Sequence, residues 1–314
     1  MELGNKKQLN LFVMKNNDKI SRRNALKFVS TGLAALAVNN KVYSNNLKNK
    51  KINLLKGNIN HSVCEWCYNL PLEDLAKEAK RIGLKGIDLI GLEGWDILKK
   101  YDLISTMCYG DLKGKSTRSL TNGWCDEKFH EDLIYNYKRH IKLVADAGWI
   151  NLICFSGNRR GMSNEAGLKN SVKGLKEIIS MAEKYGVIIH MELLNSKIDH
   201  NDYMCDNTQW GVELCKRINS NNFKLLYDIY HMQVMEGDVI RTISKNHKYI
   251  GHYHTAGVPG RNEIDLSQEL YYPAIMKAVV KTGFKGFVAQ EFIPKNKVRK
   301  GILSLEQAIN ICDV

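Results

Sequence analysis

The sequence predicts an α/β protein built mainly as a single (β/α)8 TIM barrel over residues 57–314. Short apolar, β-rich runs alternate with helical periods about eight times along these residues. The length of this part, roughly 250 residues, is the usual size of such a barrel. A doubly wound open sheet is the alternative, but no Gly-x-Gly-x-x-Gly motif follows the first apolar run to favour it.

The predicted strands are segments in which apolar residues run almost without interruption, as in a sheet buried on both faces. They are residues 59–68, 86–91, 103–110, 150–157, 187–195, 223–231, 249–257 and 286–292. Helical periods lie between most of them, most clearly over residues 71–83, 171–186 and 271–283. Each of these three ends on a glycine, a common helix stop, and the last has Pro273 in its predicted first turn.

The N-terminal segment carries most of the positive charge of the chain. The formal net charge is +13, of which residues 1–56 contribute +10, so residues 57–314 are nearly balanced at +3. Proteins that bind nucleic acid more often carry a basic face on the folded domain itself. The distribution of charge therefore argues against a nucleic-acid partner.

Residues 1–37 have the layout of a signal peptide and resemble the twin-arginine type. Arg22 and Arg23 precede an apolar stretch, 28–38, that is too short to span a bilayer, and small residues at 35 and 37 suit a cleavage site. Residues 38–56, rich in Asn and Lys, are typical of a solvated linker. We therefore expect an exported, periplasmic protein with no stable membrane anchor after processing. If the segment is instead a basic disordered tail, the protein is cytoplasmic.

Eight cysteines in an exported chain raise the question of disulfides. A chain of 314 residues can bury a large core and does not need such crosslinks. Cys64 and Cys67 have C-x-x-C spacing, but no second pair follows at the spacing of a zinc finger. The pattern therefore assigns this pair no definite role.

Four successive predicted strands each carry a polar residue within or just past the apolar run: Glu192, Asp228, His254 and Glu291. In this fold, catalytic groups project from the carboxyl ends of the strands. Three carboxylates that face one another across a barrel mouth would repel strongly at low dielectric. Three carboxylates and one imidazole suit a divalent ion such as Mn²⁺, Mg²⁺, Co²⁺ or Zn²⁺. The sequence thus predicts one divalent metal site, with a salt-bridged core as the alternative.

The motifs around these residues are MELLNSK (191–197), YDIYHMQ (227–233), GHYHTAGVPGRNEI (251–264) and AQEF (289–292). In these motifs the chain resembles the xylose isomerase-like TIM barrels, and within them the branch of hydroxypyruvate isomerases and ketose 3-epimerases. The resemblance covers predicted strands five to eight, and YDIYHMQ is its most specific part. It implies a metal-binding set made of Glu192, Asp228, His254 and Glu291. It also implies that His231 and Arg261 contact oxygen atoms of the substrate.

These residue types suit a metal-dependent isomerase of a small hydroxy-carbonyl compound, similar to hydroxypyruvate isomerase. Such an enzyme removes a proton from the carbon beside a carbonyl, passes through an enediolate and returns the proton to a neighbouring atom. We expect Glu192 and Glu291 to be catalytic, one removing the proton and the other returning it; for a net 1,2-shift a single carboxylate could do both. His231 can hydrogen-bond the enediolate oxygen. Arg261 can hold a carboxylate in two hydrogen bonds, which mildly favours an acid substrate.

Other functions share these residues. A ketose 3-epimerase or a keto-sugar dehydratase would use the same metal and both glutamates, and a sugar-binding barrel would keep the metal without turnover. The abasic-site endonucleases of the superfamily need extra histidines on strands two and three, which residues 86–91 and 103–110 lack. Hydroxypyruvate isomerases often carry a histidine at the end of strand three, where this chain has Met107-Cys108-Tyr109.

We expect a small sugar or hydroxy acid as the partner. Such barrels also often form homo-oligomers.

Overall fold

A computed structural model describes residues 55–109, 120–295 and 298–314. Eight parallel strands close into a barrel in which each strand pairs with its neighbours in the sequence and the first strand pairs with the last. This closed order confirms the predicted TIM barrel and excludes the open doubly wound sheet. The predicted signal peptide, 1–37, and nearly all of the predicted linker, 38–56, lie outside the described residues.

Each predicted strand segment contains one strand of the barrel. The strands are β1 Asn60–Cys64, β2 Gly86–Ile90, β3 Ile104–Cys108, β4 Asn151–Cys154, β5 Ile188–Glu192, β6 Phe223–Asp228, β7 Ile250–Thr255 and β8 Phe287–Gln290. The α-helices of the described residues are α1 Leu72–Ile82, α2 Trp95–Lys100, α3 His130–Asp146, α4 Asn164–Tyr185, α5 Thr208–Ile218, α6 Ile229–Met235, α7 Val239–Asn246, α8 Tyr272–Lys281 and α9 Ile302–Cys312. Among them, no helix combines the length and the apolar character that a membrane crossing requires.

The helices end where the sequence indicates. Gly83 follows α1 with φ of 92° and Gly186 follows α4 with φ of 68°, a left-handed conformation that glycine adopts without a steric penalty. The helix predicted over 171–186 begins earlier, at Asn164, because the Ser163 side chain accepts the backbone N–H of Ala166 and caps it. Apolar side chains of the helices, such as Leu75 of α1, are fully buried against the barrel.

All eight predicted strand segments extend past the carboxyl ends of the observed strands, by one to four residues, and two of them show why. The segment 59–68 is a strand only to Cys64, after which residues 65–67 form a short 3₁₀ turn. The segment 223–231 is a strand only to Asp228, because that residue also begins α6. Both corrections fall at the carboxyl rim of the barrel, where the chain turns away from the sheet and presents side chains to the mouth.

Candidate metal centre and active-site cavity

The structure brings together the four polar residues of the last four strands. Glu192, Asp228 and His254 lie at the carboxyl ends of β5 to β7, Glu291 directly follows β8, and all four are buried. One ligand atom from each lies within 4.8 Å of those of the other three. We refer to these four side chains as the carboxylate–imidazole cluster.

The chemistry of this cluster fits a divalent cation. Nδ1 of His254 lies 2.8 Å from Oε2 of Glu291 and 3.2 Å from Oε1 of Glu192. These contacts do not have the geometry of hydrogen bonds. Nδ1 of His254 and Oε1 of Glu192 are therefore both buried without a hydrogen-bond partner. With His254 neutral and all three carboxylates ionised, as metal binding requires, the carboxylates and the adjoining guanidinium of Arg261 carry a net charge of −2. Buried charges persist when they are paired or coordinate a metal, and a divalent ion would balance this excess.

Asp88 of β2 holds the opposite side of the His254 ring. Its Oδ2 lies 3.1 Å from Nε2 of His254 and 2.6 Å from Nε2 of His252. Its Oδ1 accepts hydrogen bonds from the hydroxyl groups of Ser62, at 2.6 Å, and Thr106. Burial alone would raise the pKa of Asp88, but the two histidines hold that pKa below its usual value, so the carboxyl is charged. A charged acceptor at Nε2 places the ring proton there and leaves Nδ1 of His254 free to bind a metal.

The motif YDIYH forms the passage from β6 to α6. Asp228 is the last residue of β6 and the N-cap of α6, and its Oδ1 accepts the backbone N–H of His231 at 3.1 Å. Its Oδ2 lies 3.6 Å from Nε2 of His231 and 3.5 Å from Nη2 of Arg261. One carboxylate thus caps a helix and contributes to the cluster, which explains why an apolar strand ends on an acid.

Asn195, just past β5, determines which ring nitrogen of His231 carries the proton. Its Oδ1 accepts the backbone N–H groups of Ile198 and Asp199, so its Nδ2 is the atom that faces Nδ1 of His231, at 2.7 Å. Because the amide nitrogen donates, Nδ1 accepts and the ring proton sits on Nε2, which is buried without a partner. Burial and the charge of Arg261 hold the pKa of His231 well below its usual value. The ring is therefore neutral and offers one N–H donor beside Asp228.

Arg261 lies against the cluster and not in open solvent. Its Nη2 is 2.6 Å from Oε2 of Glu291, and its guanidinium stands 5.1 Å from the ring centroid of Trp66 and 5.5 Å from that of Tyr230. Trp66 donates its indole N–H to Oε1 of Glu291 at 2.9 Å. The expected grip on a substrate carboxylate therefore competes with an ion pair that Arg261 already makes.

The three carboxylates have different proton affinities. Burial would raise the pKa of Glu291, but Arg261 and His254 more than reverse this effect and hold its pKa well below the usual range. Burial raises the pKa of Asp228 well above its usual value despite the opposing charge of Arg261. Burial, together with the charge of Glu291, also raises the pKa of Glu192. Within this structure Glu291 is the carboxylate held most firmly in its ionised form.

A cavity of about 700 Å³ adjoins the cluster. Glu192, Arg261 and Glu291 form one part of its wall, and His200 and Trp66 also line it. The cavity places the catalytic candidates in contact with a space large enough for a small organic molecule.

Sequence reasoning missed Asp88 and Asn195. Asp88 is the one acid of the predicted strand 86–91, which is otherwise apolar. The same pattern marked Asp228, so the sequence could have identified Asp88 in that way. The role of Asn195 depends on which ring nitrogen it faces, so only the folded structure reveals it. The two arginines that follow β4 form ion pairs with neighbouring acids: Arg159 pairs with Asp206 and Arg160 with Asp126. All eight cysteines, including Cys64 and Cys67, are buried free thiols.

Comparisons with known proteins agree with the motifs. A family model described as xylose isomerase-like TIM barrel matches residues 76–308. The 2-oxo-tetronate isomerase of Cupriavidus necator is 32% identical over 121 residues, which are 38% of this chain and 46% of that protein. The hydroxypyruvate isomerase of Escherichia coli is 28% identical over 142 residues, 45% of this chain and 54% of that protein. The D-psicose 3-epimerase of Ruminiclostridium cellulolyticum is 31% identical over 127 residues, 39% and 40% of the two chains. The match spans about half the length of these curated relatives.

Solved structures share the fold over most of the chain. An AP endonuclease of family 2 from Brucella melitensis superposes with a TM-score of 0.70 at 21% identity, covering 79% of this chain and 97% of that chain. A structure of the IOLI protein with a binding zinc atom superposes with a TM-score of 0.56 at 21% identity, covering 81% and 95%. At these identities the likeness establishes the barrel fold.

Proposed function

The chain belongs to the xylose isomerase-like TIM-barrel family, and from this premise we propose that it is a metal-dependent isomerase of a small hydroxy-carbonyl compound. The observation that carries the proposal is the convergence of three buried carboxylates and one imidazole within 4.8 Å, beside a cavity. The relatives named as isomerases and epimerases of sugars and hydroxy acids support the same class of reaction.

The residues that would hold the metal are Glu192, Asp228, His254 and Glu291. Bound there, a divalent ion such as Mn²⁺, Mg²⁺, Co²⁺ or Zn²⁺ would polarise the substrate carbonyl and compensate the negative charge that develops on its oxygen. The structure of the IOLI protein, which shares the fold, contains a bound zinc atom, and this supports a divalent ion as the cofactor. Asp88 would orient His254 for this purpose by holding its proton on Nε2.

The proton transfer falls to the two glutamates. A carboxylate takes the proton from the carbon beside the carbonyl, the C–H electron pair forms a carbon–carbon double bond, and the carbonyl oxygen gains the negative charge. Oε1 of Glu192 and Oε2 of Glu291 lie 3.2 Å and 2.8 Å from Nδ1 of His254, and both residues line the cavity, so each would be within reach of a substrate bound there. The Nε2–H group of His231 would donate a hydrogen bond to an oxygen of the enediolate.

A second candidate is a ketose 3-epimerase. Epimerisation removes a proton from one face of a carbon and returns one to the other face, which suits two carboxylates at the ends of different strands, such as Glu192 at the end of β5 and Glu291 just after β8. A keto-sugar dehydratase and a sugar-binding barrel without turnover use the same cluster and differ in the fate of the bound molecule. An endonuclease with a metal cluster extended by histidines of β2 and β3 is disfavoured, because those strands contain none.

Incubation of the metal-loaded protein with hydroxypyruvate, tetronates and ketoses in heavy water tests the proposal. An isomerase incorporates deuterium at the carbon that receives the proton and changes the position of the carbonyl. An epimerase incorporates deuterium at a carbon whose configuration changes while the carbonyl stays in place. Binding of these compounds without deuterium incorporation or product would overturn the enzymatic proposal in favour of a binding protein.

A further inference from the structure

We infer that the imidazole of His200 binds a hydroxyl group of the substrate, next to the oxygen that His231 contacts. The inference rests on the proposed function, because it places the reacting carbons of the substrate at the carboxylate–imidazole cluster. It narrows the substrate class to polyhydroxy ketones that carry an uncharged hydroxyl beyond the reacting hydroxy-carbonyl pair. Hydroxypyruvate, whose remaining oxygens belong to a carboxylate, falls outside that class.

The position of His200 is the first observation. The residue follows β5 and lines the same cavity as Glu192 and Glu291. Its ring stands edge-on to the ring of His231, with 5.2 Å between the two ring centroids. Nε2 of His231 in turn lies 3.6 Å from Oδ2 of Asp228 in the carboxylate–imidazole cluster. A substrate held at the cluster and at His231 would therefore have its next group beside His200.

The backbone on both sides of His200 is held in place. Its N–H donates to the carbonyl oxygen of Asn195 at 3.1 Å, and its carbonyl oxygen accepts the N–H of Tyr203 at 3.0 Å. Tyr203 is fully buried, and its hydroxyl donates to the carbonyl oxygen of Glu192 at 3.1 Å and accepts the N–H of Ser156 at 3.0 Å. The ring is thus ordered before a ligand arrives, which reduces the entropy lost on binding.

Other groups than the imidazole hold this loop. The carboxylate of Asp199 accepts hydrogen bonds from Nδ2 of Asn195 at 2.6 Å and from the hydroxyl of Tyr230 at 2.8 Å. Nε2 of His200 is buried, and no group in the described part of the chain forms a hydrogen bond with it. A buried polar atom without a partner costs free energy, which a ligand that supplies the partner recovers.

The imidazole of His200 is neutral. Burial and the charge of Arg261 lower its pKa from the usual value, and the charges of Asp199 and Glu291 oppose this effect without reversing it. A neutral imidazole has one nitrogen that donates and one that accepts. A hydroxyl can pair with either nitrogen because it both donates and accepts, whereas a carboxylate can pair only with the N–H group. The ring therefore suits a hydroxyl better than an acid group.

A set of four-carbon ketones tests the inference. We would titrate the Mn²⁺-loaded protein with erythrulose and with its 1-deoxy, 3-deoxy and 4-deoxy analogues by calorimetry, and repeat the titrations with His200→Phe. Removal of the hydroxyl that His200 binds should weaken the affinity of the wild type about fivefold, the net contribution of a typical hydrogen bond, and should not weaken that of His200→Phe. Removal of any other hydroxyl should cost the same factor in both proteins.

Two further variants and one acid place the effect at the imidazole. His200→Gln keeps a side chain that donates and accepts, and it should restore a preference of about twofold or more for the hydroxyl. His247→Phe is the matched control, because His247 is exposed and precedes β7, at the opposite end of the barrel from the cavity, and it should keep the wild-type pattern. Hydroxypyruvate should bind the wild type and His200→Phe with affinities that agree within about twofold, since it has no hydroxyl for His200.

The outcomes separate the hydroxyl contact from the reaction. If every deoxy analogue loses the same factor in the wild type and in His200→Phe, the inference is wrong. A fivefold loss of hydroxypyruvate affinity in His200→Phe would likewise overturn the restriction to hydroxyls. Deuterium exchange of erythrulose in heavy water reports the reaction independently. Exchange without a His200-dependent hydroxyl would overturn this inference alone, whereas a His200-dependent hydroxyl without exchange would support it and overturn the proposed isomerisation.

Discussion

Asp88→Asn tests how the barrel interior prepares His254 for a metal. The substitution keeps the size of the side chain and removes its charge. If the new amide nitrogen faces His254, a donor meets the Nε2–H donor, and the ring must move its proton to Nδ1, the atom directed at Glu192 and Glu291. If the amide oxygen faces the ring, the proton stays on Nε2 but the negative charge that strengthens the ligand is lost.

The orientation that the amide adopts determines how much metal affinity is lost. Loss of a carboxylate that supports a metal-binding histidine typically weakens metal affinity 10- to 100-fold, about 1.4–2.7 kcal/mol. Loss of charge alone corresponds to the lower end, and displacement of the proton to Nδ1 corresponds to the upper end. The metal-free protein should also lose about 3 kcal/mol of stability, because Asp88 is fully buried and contacts two histidines.

Calorimetric titration of the metal-stripped protein with Mn²⁺ measures the effect, and nitrogen-15 NMR of the histidine rings reports which nitrogen of His254 carries the proton. The control is Ser62→Ala, which removes a hydrogen bond to Oδ1 of Asp88 but leaves Oδ2 and its histidine contacts in place. It should change Mn²⁺ affinity by less than about threefold. A folded Asp88→Asn variant that binds Mn²⁺ as tightly as the Ser62→Ala control would refute the positioning role.

Three further predictions address the reaction, the buried histidines and the N-terminal segment. Glu291→Gln should retain the fold and lower turnover at least 100-fold, as expected for the loss of a general acid or base. Measuring the metal content of the variant distinguishes loss of the metal from loss of proton transfer. Near-normal turnover would remove Glu291 from the mechanism. Burial holds the pKa of His190 well below its usual value, so the unfolded chain binds a proton below pH ~6.5 that the folded chain excludes, and stability falls as the pH drops. Between pH 7.5 and pH 5.5 the free energy of unfolding should fall by about 1.4 kcal/mol more in the wild type than in His190→Gln, a variant that keeps a donor toward Asn151. Equal decreases in the two proteins, measured by urea unfolding, would contradict a neutral buried ring. Deletion of residues 1–37 should leave a folded barrel that stays in the cytoplasm and melts within about 2 °C of the processed protein, whereas loss of folding would show that the segment is structural.

The barrel and the cluster follow from simple periodicities. Eight apolar runs separated by amphipathic helices specify the closed sheet, and the polar residue that each of the last four strands carries near its end meets the others because parallel strands end at one rim. Asp228 is the clearest case, since an acid in an apolar run has few structural explanations. Its additional role as the cap of α6 is visible only once the strand is known to stop there.

Other features depend on the fold in ways that spacing does not reveal. The irregular pairing of β2 lets Asp88 reach His254 from across the barrel while Leu89 lines the cavity, and nothing in the motif GIDLIG marks that bulge. The proton of His231 is set by Asn195, through an amide orientation that two backbone donors impose. Arg261 was expected to face the substrate, but its side chain also pairs with Glu291, because the loop after β7 brings it over the cluster.

The location of a bound metal is the most direct test. Crystals of the protein grown with Mn²⁺ should give a single strong anomalous peak within bonding distance of Glu192, Asp228, His254 and Glu291, with Nδ1 as the histidine ligand. Absence of a peak at saturating Mn²⁺, or a peak bound by other residues, would contradict a metal centre at the carboxyl rim and the proton transfer proposed beside it.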